Sequence, residues 1–294
     1  MKIGMIGLGR MGGNMAERLR RHEHEVVGFD SFSPASSVKS LEELVQALTP
    51  ASPGTPRVVW VMVPSGDPTE STVVALAALL SPGDIVIEGG NSNWRDSQRR
   101  AALVGERGIG FIDAGTSGGI WGLTEGYCLM VGGTKESVDA VMPIFLALAP
   151  ENGFVHAGAV GTGHFTKMIH NGIEYGMMQA YAEGYEILKA NDVAIDVEGA
   201  FRAWQQGSVV RSWLLDLAVR ALDQDPGLAG IKGYAQDSGE GRWTVNEAVR
   251  LGVPAHVLSA SLYTRFASRQ DDSPAMKMVA ALRGQFGGHA VKKA

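Results

Sequence analysis

The sequence predicts an α/β domain with a parallel sheet, followed by an all-α domain. In residues 1–160, short apolar runs alternate with segments rich in Ala, Leu, Glu and Arg, which is the pattern of βαβ units. In residues 161–294 the strand pattern stops and long helical periodicity begins. A length of 294 residues also fits two domains. We expect the boundary near the glycine-rich segment 158–163.

The apolar runs locate the expected strands and helices. The predicted strands are residues 2–6, 26–29, 58–63, 85–87, 110–113, 127–131 and 154–156. One helix is predicted to begin near Met11, one to cover 135–148, and a long one to run from His164 to about Ala190.

Composition excludes several classes of protein. Hydrophobic residues make up 45% and charged residues 19%, so a folded core is expected and general disorder is not. A net charge of −5 argues against a nucleic acid partner. The first residues do not resemble a signal peptide, and the longest apolar run, residues 73–80, is too short to cross a membrane. The one cysteine, Cys128, cannot form an internal disulfide, and no Cys/His cluster indicates zinc. We therefore expect a cytoplasmic protein without membrane segments, with Cys128 as inert core.

A glycine-rich motif, GLGRMG, directly follows the first strand and begins a helix. Its residues are Gly7, Leu8, Gly9, Arg10, Met11 and Gly12. In a dinucleotide-binding (Rossmann-type) domain, the first glycine permits the tight turn and the second lets the backbone approach a pyrophosphate. The third glycine lets the helix lie close to the strand. The free amides at the beginning of that helix then face the phosphates. The alternative, a glycine-rich turn without function, is disfavoured by the strand before the motif and the helix after it.

Asp30 ends the second strand and indicates which dinucleotide binds. A carboxylate there accepts hydrogen bonds from the adenosine ribose and repels a 2′-phosphate. The segment FDSFSPASS contains no arginine, and its first following cation is Lys39. The sequence therefore favours NAD. In the alternative interpretation, Asp30 only caps a turn with Ser31 and Ser33.

Three more glycine-rich polar loops follow predicted strands. They are residues 63–66 (VPSG, with Val63 and Pro64), residues 88–93 (EGGNSN) and residues 113–122 (DAGTSGGIWG). Ligands of such sheets bind outside the carboxyl ends of the strands, so these loops are expected to line the cleft.

The long helix carries an unusual polar stripe. Lys167, His170, Asn171 and Glu174 fall at i, i+3, i+4 and i+7 and share one face, with Tyr175 beside them. The alternative is a solvated face with a Lys–Glu pair. Against it, the surrounding apolar residues are expected to leave little of the helix facing open water. They are Phe165, Met168, Ile169, Ile173, Met177 and Met178.

The stripe has the groups that an alcohol oxidation requires. A lysine in a partly desolvated pocket can be neutral near neutral pH and take the hydroxyl proton while hydride leaves the same carbon. Asn171 can orient the substrate, and Glu174 can deliver a proton if burial keeps it protonated.

With these motifs the chain resembles the 6-phosphogluconate dehydrogenases of the β-hydroxyacid dehydrogenase superfamily, in their short-chain, NAD-preferring branch. The matching segments are GLGRMG, GGNSNWRDSQRR (89–100), DAGTSGGIWG, GTGHFTKMIHNGIEYGMMQ (161–179), GEGRWT (239–244) and RGQFGGH (283–289). The resemblance implies oxidation of 6-phosphogluconate at C3, loss of CO2 and formation of ribulose 5-phosphate, a reaction of the pentose phosphate pathway type. It implies no metal, since a protein ammonium can polarise the β-keto intermediate.

The resemblance also implies roles for individual residues. Lys167 would be the general base and Glu174 the acid that protonates C1. The sugar acid would be held by Asn91, Ser117, Gly118, Gly119, His170 and Asn171, with Asn91 also binding the cofactor near its nicotinamide. The phosphate would be held by Tyr175 and Arg265. Arg283 and His289 match a tail that reaches into the neighbouring subunit's active site, which implies a homodimer or a higher homo-oligomer. One departure is Ser238, which stands where relatives often carry a phosphate-contacting lysine. Either Arg242 or another cation takes the place of that lysine, or phosphate binding is weaker.

Two other functions fit parts of the sequence. A non-decarboxylating β-hydroxyacid dehydrogenase would share the glycine loops and a lysine on the same helix, but not the phosphate-side residues Tyr175, Arg265, Arg283 and His289. A catalytically silent NAD-binding regulator would not need Lys167 and Glu174.

Overall fold

The computed structural model describes residues 1–49 and 54–293, and the chain divides into two compact units, Met1–His170 and Asn171–Ala294. The longest helix, α8 (Thr162–Lys189), contributes residues to both units. The domain boundary predicted after residue 160 lies just before this helix begins, and it stays a prediction.

The first unit is built on one seven-stranded sheet in the order β2-β1-β3-β4-β5-β6-β7. Its strands are β1 (Lys2–Ile6), β2 (Glu25–Phe29), β3 (Val58–Val61), β4 (Ile85–Glu88), β5 (Gly110–Ser117), β6 (Cys128–Gly133) and β7 (Phe154–Gly158). The order reverses between β1 and β3, and in such sheets a crevice opens at the carboxyl ends of the two strands there.

Helices cover both faces of this sheet. They are α1 (Arg10–Arg21), α2 (Leu41–Ala47), α3 (Asp67–Leu79), α4 (Trp94–Gly105), α5 (Gly122–Glu125), α6 (Lys135–Ala140), α7 (Met142–Leu148) and the beginning of α8. Every residue of β3 and β4 is buried, which is expected of central parallel strands with a helical layer on each side. Two apolar clusters form the core, one around Trp60 and Phe145 and the other around Leu76 and Phe111.

The second unit is helical. Besides the rest of α8 it contains α9 (Val197–Trp204), α10 (Trp213–Gln224), α11 (Glu240–Leu251), α12 (His256–Ala267) and α13 (Pro274–Gly287). Its core cluster comprises Val197, Phe201, Leu215, Val219 and Leu222. The predicted fold class, an α/β Rossmann-type domain followed by an all-α domain, is therefore confirmed. Among the described helices, none has a long enough apolar stretch to cross a bilayer.

Three details differ from the sequence prediction. The sheet is not wholly parallel, because β6 runs antiparallel to β5, with Ser117 opposite Cys128. The helix predicted over 135–148 is two helices separated at Val141, since Pro143 has no amide to continue the first one. Cys128 was expected in the core and is exposed, as the first residue of β6.

Candidate active site

A large cavity of about 960 Å³ opens at the carboxyl end of the sheet in the first unit. It lies at the β1/β3 reversal, and its wall includes residues of the loops after β1, β2, β3 and β4. Nine of the ten predicted cofactor residues line it: Gly7, Gly9, Arg10, Met11, Gly12, Asp30, Val63, Pro64 and Asn91. Leu8 does not line the cavity, and its side chain packs against Gly28 of β2 instead.

The glycine loop has the shape of a phosphate cradle. Gly7 has a φ of +89°, a conformation that favours glycine. A Cβ on Gly12 would lie 2.0 Å from the carbonyl oxygen of Gly7, so only glycine lets α1 begin this close to the strand. A Cβ on Gly9 would meet no protein atom, and Gly9 faces the cavity as the residue before α1. These features fit a dinucleotide whose pyrophosphate lies at the N-terminus of α1.

Asp30 is held by the glycine loop and by its own turn. Its carboxylate accepts hydrogen bonds from the Leu8 amide (2.8 Å) and the Phe32 amide (2.8 Å). The turn is closed by Ser36, whose hydroxyl accepts from the Asp30 amide and donates to the Asp30 carbonyl. Asp30 thus caps a turn through Phe32 and also lines the cavity. Its carboxylate can accept further hydrogen bonds, so the two roles are compatible.

Phe32 and Lys39 are among the cavity residues that the sequence analysis did not assign to the site. Phe32 is 98% exposed, and its ring lines the cavity just after Asp30. Lys39 lines the same cavity, although nine residues separate it from Asp30 in the chain. The Ser37 amide donates to the Gly28 carbonyl (2.8 Å), so the loop folds back along β2, and no local sequence pattern announces this return.

Helix α8 lies directly against β5. The Cβ of Lys167 is 2.4 Å from where a Cβ on Gly115 would lie, so this contact requires glycine in the strand. Lys167 is buried, with 6% of its surface exposed. The lysine backbone is therefore fixed by the sheet, a rigid position of the kind that catalytic groups need.

Three predicted site residues of the first unit form a connected polar group. The Ser117 hydroxyl lies 3.3 Å from Nε2 of His170, and Nδ1 of the same ring lies 3.3 Å from Nζ of Lys167. Gly118 and Gly119 follow Ser117 with φ values of +137° and +52°, so the chain turns sharply away at this point. A histidine with one nitrogen toward a lysine and the other toward a serine can relay or share a proton between them.

The polar stripe of α8 is confirmed as buried at Lys167 and Asn171, which are 6% and 7% exposed. The expectation that apolar residues shield the rest of the helix is wrong for three of them. Ile173, Met177 and Met178 are exposed, because the polar stripe occupies the inward face and these side chains project from other sides.

In the second unit, Tyr175 is the centre of a compact group. Its hydroxyl accepts a hydrogen bond from the Ser238 amide (3.1 Å) and lies 3.3 Å from the Ser238 hydroxyl. The Arg265 guanidinium lies 3.6 Å above the tyrosine ring, and Arg265 also donates to the Gln236 carbonyl (2.8 Å). Aromatic stacking and one carbonyl orient the guanidinium, whose remaining N–H groups suit a phosphate.

The other nearby cations are engaged elsewhere. Arg242 donates twice to Asp237, at 2.7 and 3.0 Å, and Arg269 donates to the same carboxylate at 2.9 Å. The hydrogen bond from Arg242, with that from Arg269, lowers the pKa of Asp237 to about 2. Of the cations near Ser238, Arg265 is thus better oriented than Arg242 to take the place of the lysine.

Arg283 and His289 lie on α13 and just beyond it, and both are exposed.

Within residues 1–49 and 54–293, no three His, Cys, Asp or Glu side chains form a group suited to a metal ion. The expected independence from metals stays a prediction.

Comparison with known sequences gives matches over nearly the whole chain. Residues 2–161 match the NAD binding domain of 6-phosphogluconate dehydrogenase, and residues 163–293 match the C-terminal domain of 6-phosphogluconate dehydrogenase. A Bacillus subtilis protein, YqeC, provisionally named 6-phosphogluconate dehydrogenase, is 45% identical over the full length of both chains. The NAD(+)-dependent, decarboxylating 6-phosphogluconate dehydrogenase of Haloferax volcanii is 38% identical over 100% of this chain and 99% of its own.

Solved structures give the same fold. The Plasmodium falciparum 6-phosphogluconate dehydrogenase superposes with a TM-score of 0.77 at 26% identity, covering 100% of this chain and 66% of that one. The 3-hydroxyisobutyrate dehydrogenase of Mycobacterium tuberculosis superposes with a TM-score of 0.71 at 22% identity, a likeness of fold alone.

Proposed function

Because the chain belongs to the 6-phosphogluconate dehydrogenase family, we propose that it oxidises 6-phospho-D-gluconate with NAD and releases CO2 and D-ribulose 5-phosphate. The observation that carries the proposal is the buried Lys167, fixed on β5 through Gly115 and joined to His170 and Ser117. The Haloferax volcanii relative, which aligns over the whole chain, is named for NAD and for decarboxylation.

In the first step Lys167 is the general base. It takes the proton of the C3 hydroxyl while the hydride of the same carbon leaves, which converts the alcohol into a ketone. Burial favours the neutral amine that this step needs. Ser117, Gly118, Gly119, His170 and Asn171 hold the sugar acid in the orientation that the transfer requires.

The glycine loop and Asp30 hold the dinucleotide, whose nicotinamide ring accepts the hydride when it is bound. Asn91, on the loop after β4, faces the same cavity and is proposed to contact both cofactor and substrate.

In the second step the β-keto acid loses its carboxylate. As the C1–C2 bond breaks and C1 leaves as CO2, its electron pair moves toward the C3 ketone, and the Lys167 ammonium stabilises the developing enolate oxygen. Glu174 then protonates the carbon that has lost CO2, and the enol returns to the ketone. The protons balance, because Lys167 gained one from the C3 hydroxyl in the first step and Glu174 gives one to carbon in the second.

Tyr175 and Arg265 are proposed to bind the phosphate. Arg265 supplies the charge that relatives often obtain from a lysine at the position of Ser238, because Arg242 is neutralised by Asp237. Arg283 and His289, contributed by the tail of a second copy in a homodimer or higher oligomer, would complete this end of the site.

The test is turnover of 6-phosphogluconate with simultaneous detection of NADH and CO2. We expect both in equal amounts. Lys167→Met keeps the length of the side chain and removes the amine, so it should abolish turnover and leave NAD binding intact. Lys189→Met makes the same change at the exposed end of the same helix and should keep full activity.

Each other outcome identifies an alternative. Keto acid without CO2 would indicate a non-decarboxylating β-hydroxyacid dehydrogenase. NAD binding without turnover of any sugar acid would indicate a silent regulator. An active Lys167→Met enzyme would remove Lys167 from its role as the base.

A further inference from the structure

The carboxylate of Asp113 holds the beginning of α8 from within the sheet. Asp113 lies in β5 and is fully buried. One of its oxygens accepts the Gly161 amide at 2.6 Å and the other accepts the His164 amide at 2.7 Å. Gly161 directly precedes α8 and His164 is its third residue. In a capping box, two side chains close to the helix start accept hydrogen bonds from these two amides. Here the single carboxylate of Asp113, 48 residues before Gly161 in the chain, accepts from both.

A second contact lies one turn along the helix. Gly115 is two residues after Asp113 and therefore on the same face of β5. Lys167 is three residues after His164 and therefore one turn further along α8. Asp113 binds the first turn, and Gly115 touches the Cβ of Lys167 in the second. Two positions of one strand face thus set two successive turns of the helix.

Glycines allow very close contacts between the beginning of α8 and the sheet. A Cβ on Gly163 would lie 2.4 Å from the Asp113 carbonyl oxygen, and a Cβ on Gly132 would lie 2.5 Å from the Asp113 carboxylate. The helix backbone therefore lies directly on β5 and β6. A small displacement of the first turn of α8 would also move Lys167, since these close backbone contacts leave no space in which the shift could be absorbed.

The charge of Asp113 matters as well as its shape. On balance the pKa of the Asp113 carboxyl is raised, chiefly by burial, although the nearby His164 and the amides of His164 and Gly161 act to lower it. The ionised form accepts both amides and also lies favourably at the positive end of the helix dipole. His164 is itself fixed, with Nδ1 2.8 Å from the Ser97 hydroxyl.

We propose that Asp113 is a positioning residue for Lys167, acting through the first turn of α8 and not through contact with substrate. The proposal rests on the assignment of Lys167 as the base. It adds a residue to the catalytic apparatus that never meets the reacting atoms.

The test is Asp113→Asn, compared with Asp84→Asn as a matched control. Asp84 is also a buried carboxylate of this unit that accepts two backbone amides, from Arg57 (2.9 Å) and Ser81 (2.7 Å), but it lies before β4, away from α8. Its carboxylate also pairs with the Arg57 guanidinium at 2.6 Å, so its loss of charge is at least as demanding on stability. An asparagine at position 113 keeps one acceptor and presents an NH2 group to the second amide. We expect kcat to fall by about 10- to 100-fold, the effect of an ångström-scale misplacement, with KM for the cofactor little changed. Asp84→Asn should lower the melting temperature to a similar degree and leave kcat nearly unchanged.

A second measurement does not depend on turnover. Amide hydrogen exchange of Gly161 and His164 should accelerate in Asp113→Asn and not in Asp84→Asn. If wild type fails to turn over 6-phosphogluconate but this exchange pattern appears, the proposed function fails and the anchoring by Asp113 stands. If kcat and exchange in Asp113→Asn match those of wild type, or if Asp84→Asn loses kcat equally, the positioning role is refuted. Should Asp113→Asn not fold, Asp113→Ser, which also leaves one acceptor, is judged by the same criteria.

Discussion

At the scale of single residues, cofactor choice depends on two opposed charges in one cavity. Asp30 faces the space where a ribose would bind, and its carboxylate is already fixed by the Leu8 and Phe32 amides. Lys39 lines the same cavity from the end of the loop. The fixed carboxylate disfavours a 2′-phosphate, while the exposed lysine favours one only if its ammonium approaches the ribose. We therefore expect NAD to be preferred.

This preference predicts the behaviour of Asp30 variants. Asp30→Asn, which removes only the charge, should reduce the preference, and Asp30→Arg should shift it toward NADP by about tenfold or more, a change of about 1.4 kcal/mol. The measurement is the ratio of kcat/KM for the two cofactors. A wild-type enzyme that uses NADP as well as NAD would contradict the prediction. In that case Lys39→Ala would show whether the lysine is the cause, because it should then restore selectivity for NAD.

At the scale of elements, a buried arginine links α3, α4 and β4 through ion pairs and hydrogen bonds. Arg100 of α4 donates to Glu70 of α3 (2.7 Å), to Glu88 at the end of β4 (2.5 Å) and to the Ser92 hydroxyl (3.2 Å). Glu88 and Ser92 flank the loop that carries Asn91. Both Arg100 and Glu88 are almost fully buried, so the loop is held by an ion pair that water does not screen.

The neighbouring Arg99 provides a matched comparison. It also pairs with Glu70, but its side chain is 55% exposed. Arg100→Met should destabilise the protein by about 3–5 kcal/mol because it leaves Glu88 charged and unpaired in the interior. Arg99→Met should cost less than about 1 kcal/mol. Urea denaturation followed by circular dichroism measures both. Equal effects of the two substitutions would show that burial of the pair is not what stabilises these elements.

Much of this element structure could be predicted from the sequence. Apolar runs located all seven strands, and β1 matches its predicted limits. β5 is four residues longer than predicted, because its end, Ala114–Ser117, is small and polar and pairs with β6. Strand direction is not encoded in a strand's own pattern, so the antiparallel β6 could not be foreseen, and neither could the exposure of Cys128.

The candidate site shows the same division. The glycine loop, Asp30 and the stripe on α8 were identifiable, because their spacing in the chain reflects a turn or a helix period. Lys39 was not assigned, and Asp113 was wrongly expected in a loop lining the cleft, because each acts through a contact between distant parts of the chain. Residues whose role arises from folding back or from strand–helix packing carry no local signal.

At the scale of the whole molecule, helix α13 is left uncovered by residues 1–49 and 54–293, the part of its own chain that the structure describes. It has no buried residue, although Met276, Val279, Leu282 and Phe286 lie along one side of it and are exposed. An apolar helix face of this length is typical of a surface that another chain covers. This agrees with the proposed homodimer or higher oligomer, in which the tail with Arg283 and His289 enters the second copy.

A single charge on that side of α13 tests the assembly. Leu282→Asp should prevent self-association and strongly reduce turnover, because the charge would have to be buried in the assembled form. Ala281→Asp places the same charge on the other side of the helix, where it is exposed, and should change neither. Sedimentation velocity and turnover are measured together. A wild-type chain that sediments as a 31.2 kDa monomer with full activity would contradict the proposal.

The exposure of Cys128 has a practical consequence for such experiments. It is the one thiol in 294 residues, and it stands at the first position of β6, opposite Ser117. Partial burial of the thiol raises its pKa, so coupling proceeds best in mildly alkaline buffer. A maleimide fluorophore would then attach once per chain, without any engineered cysteine, and its emission would report on ligands arriving at the end of β5.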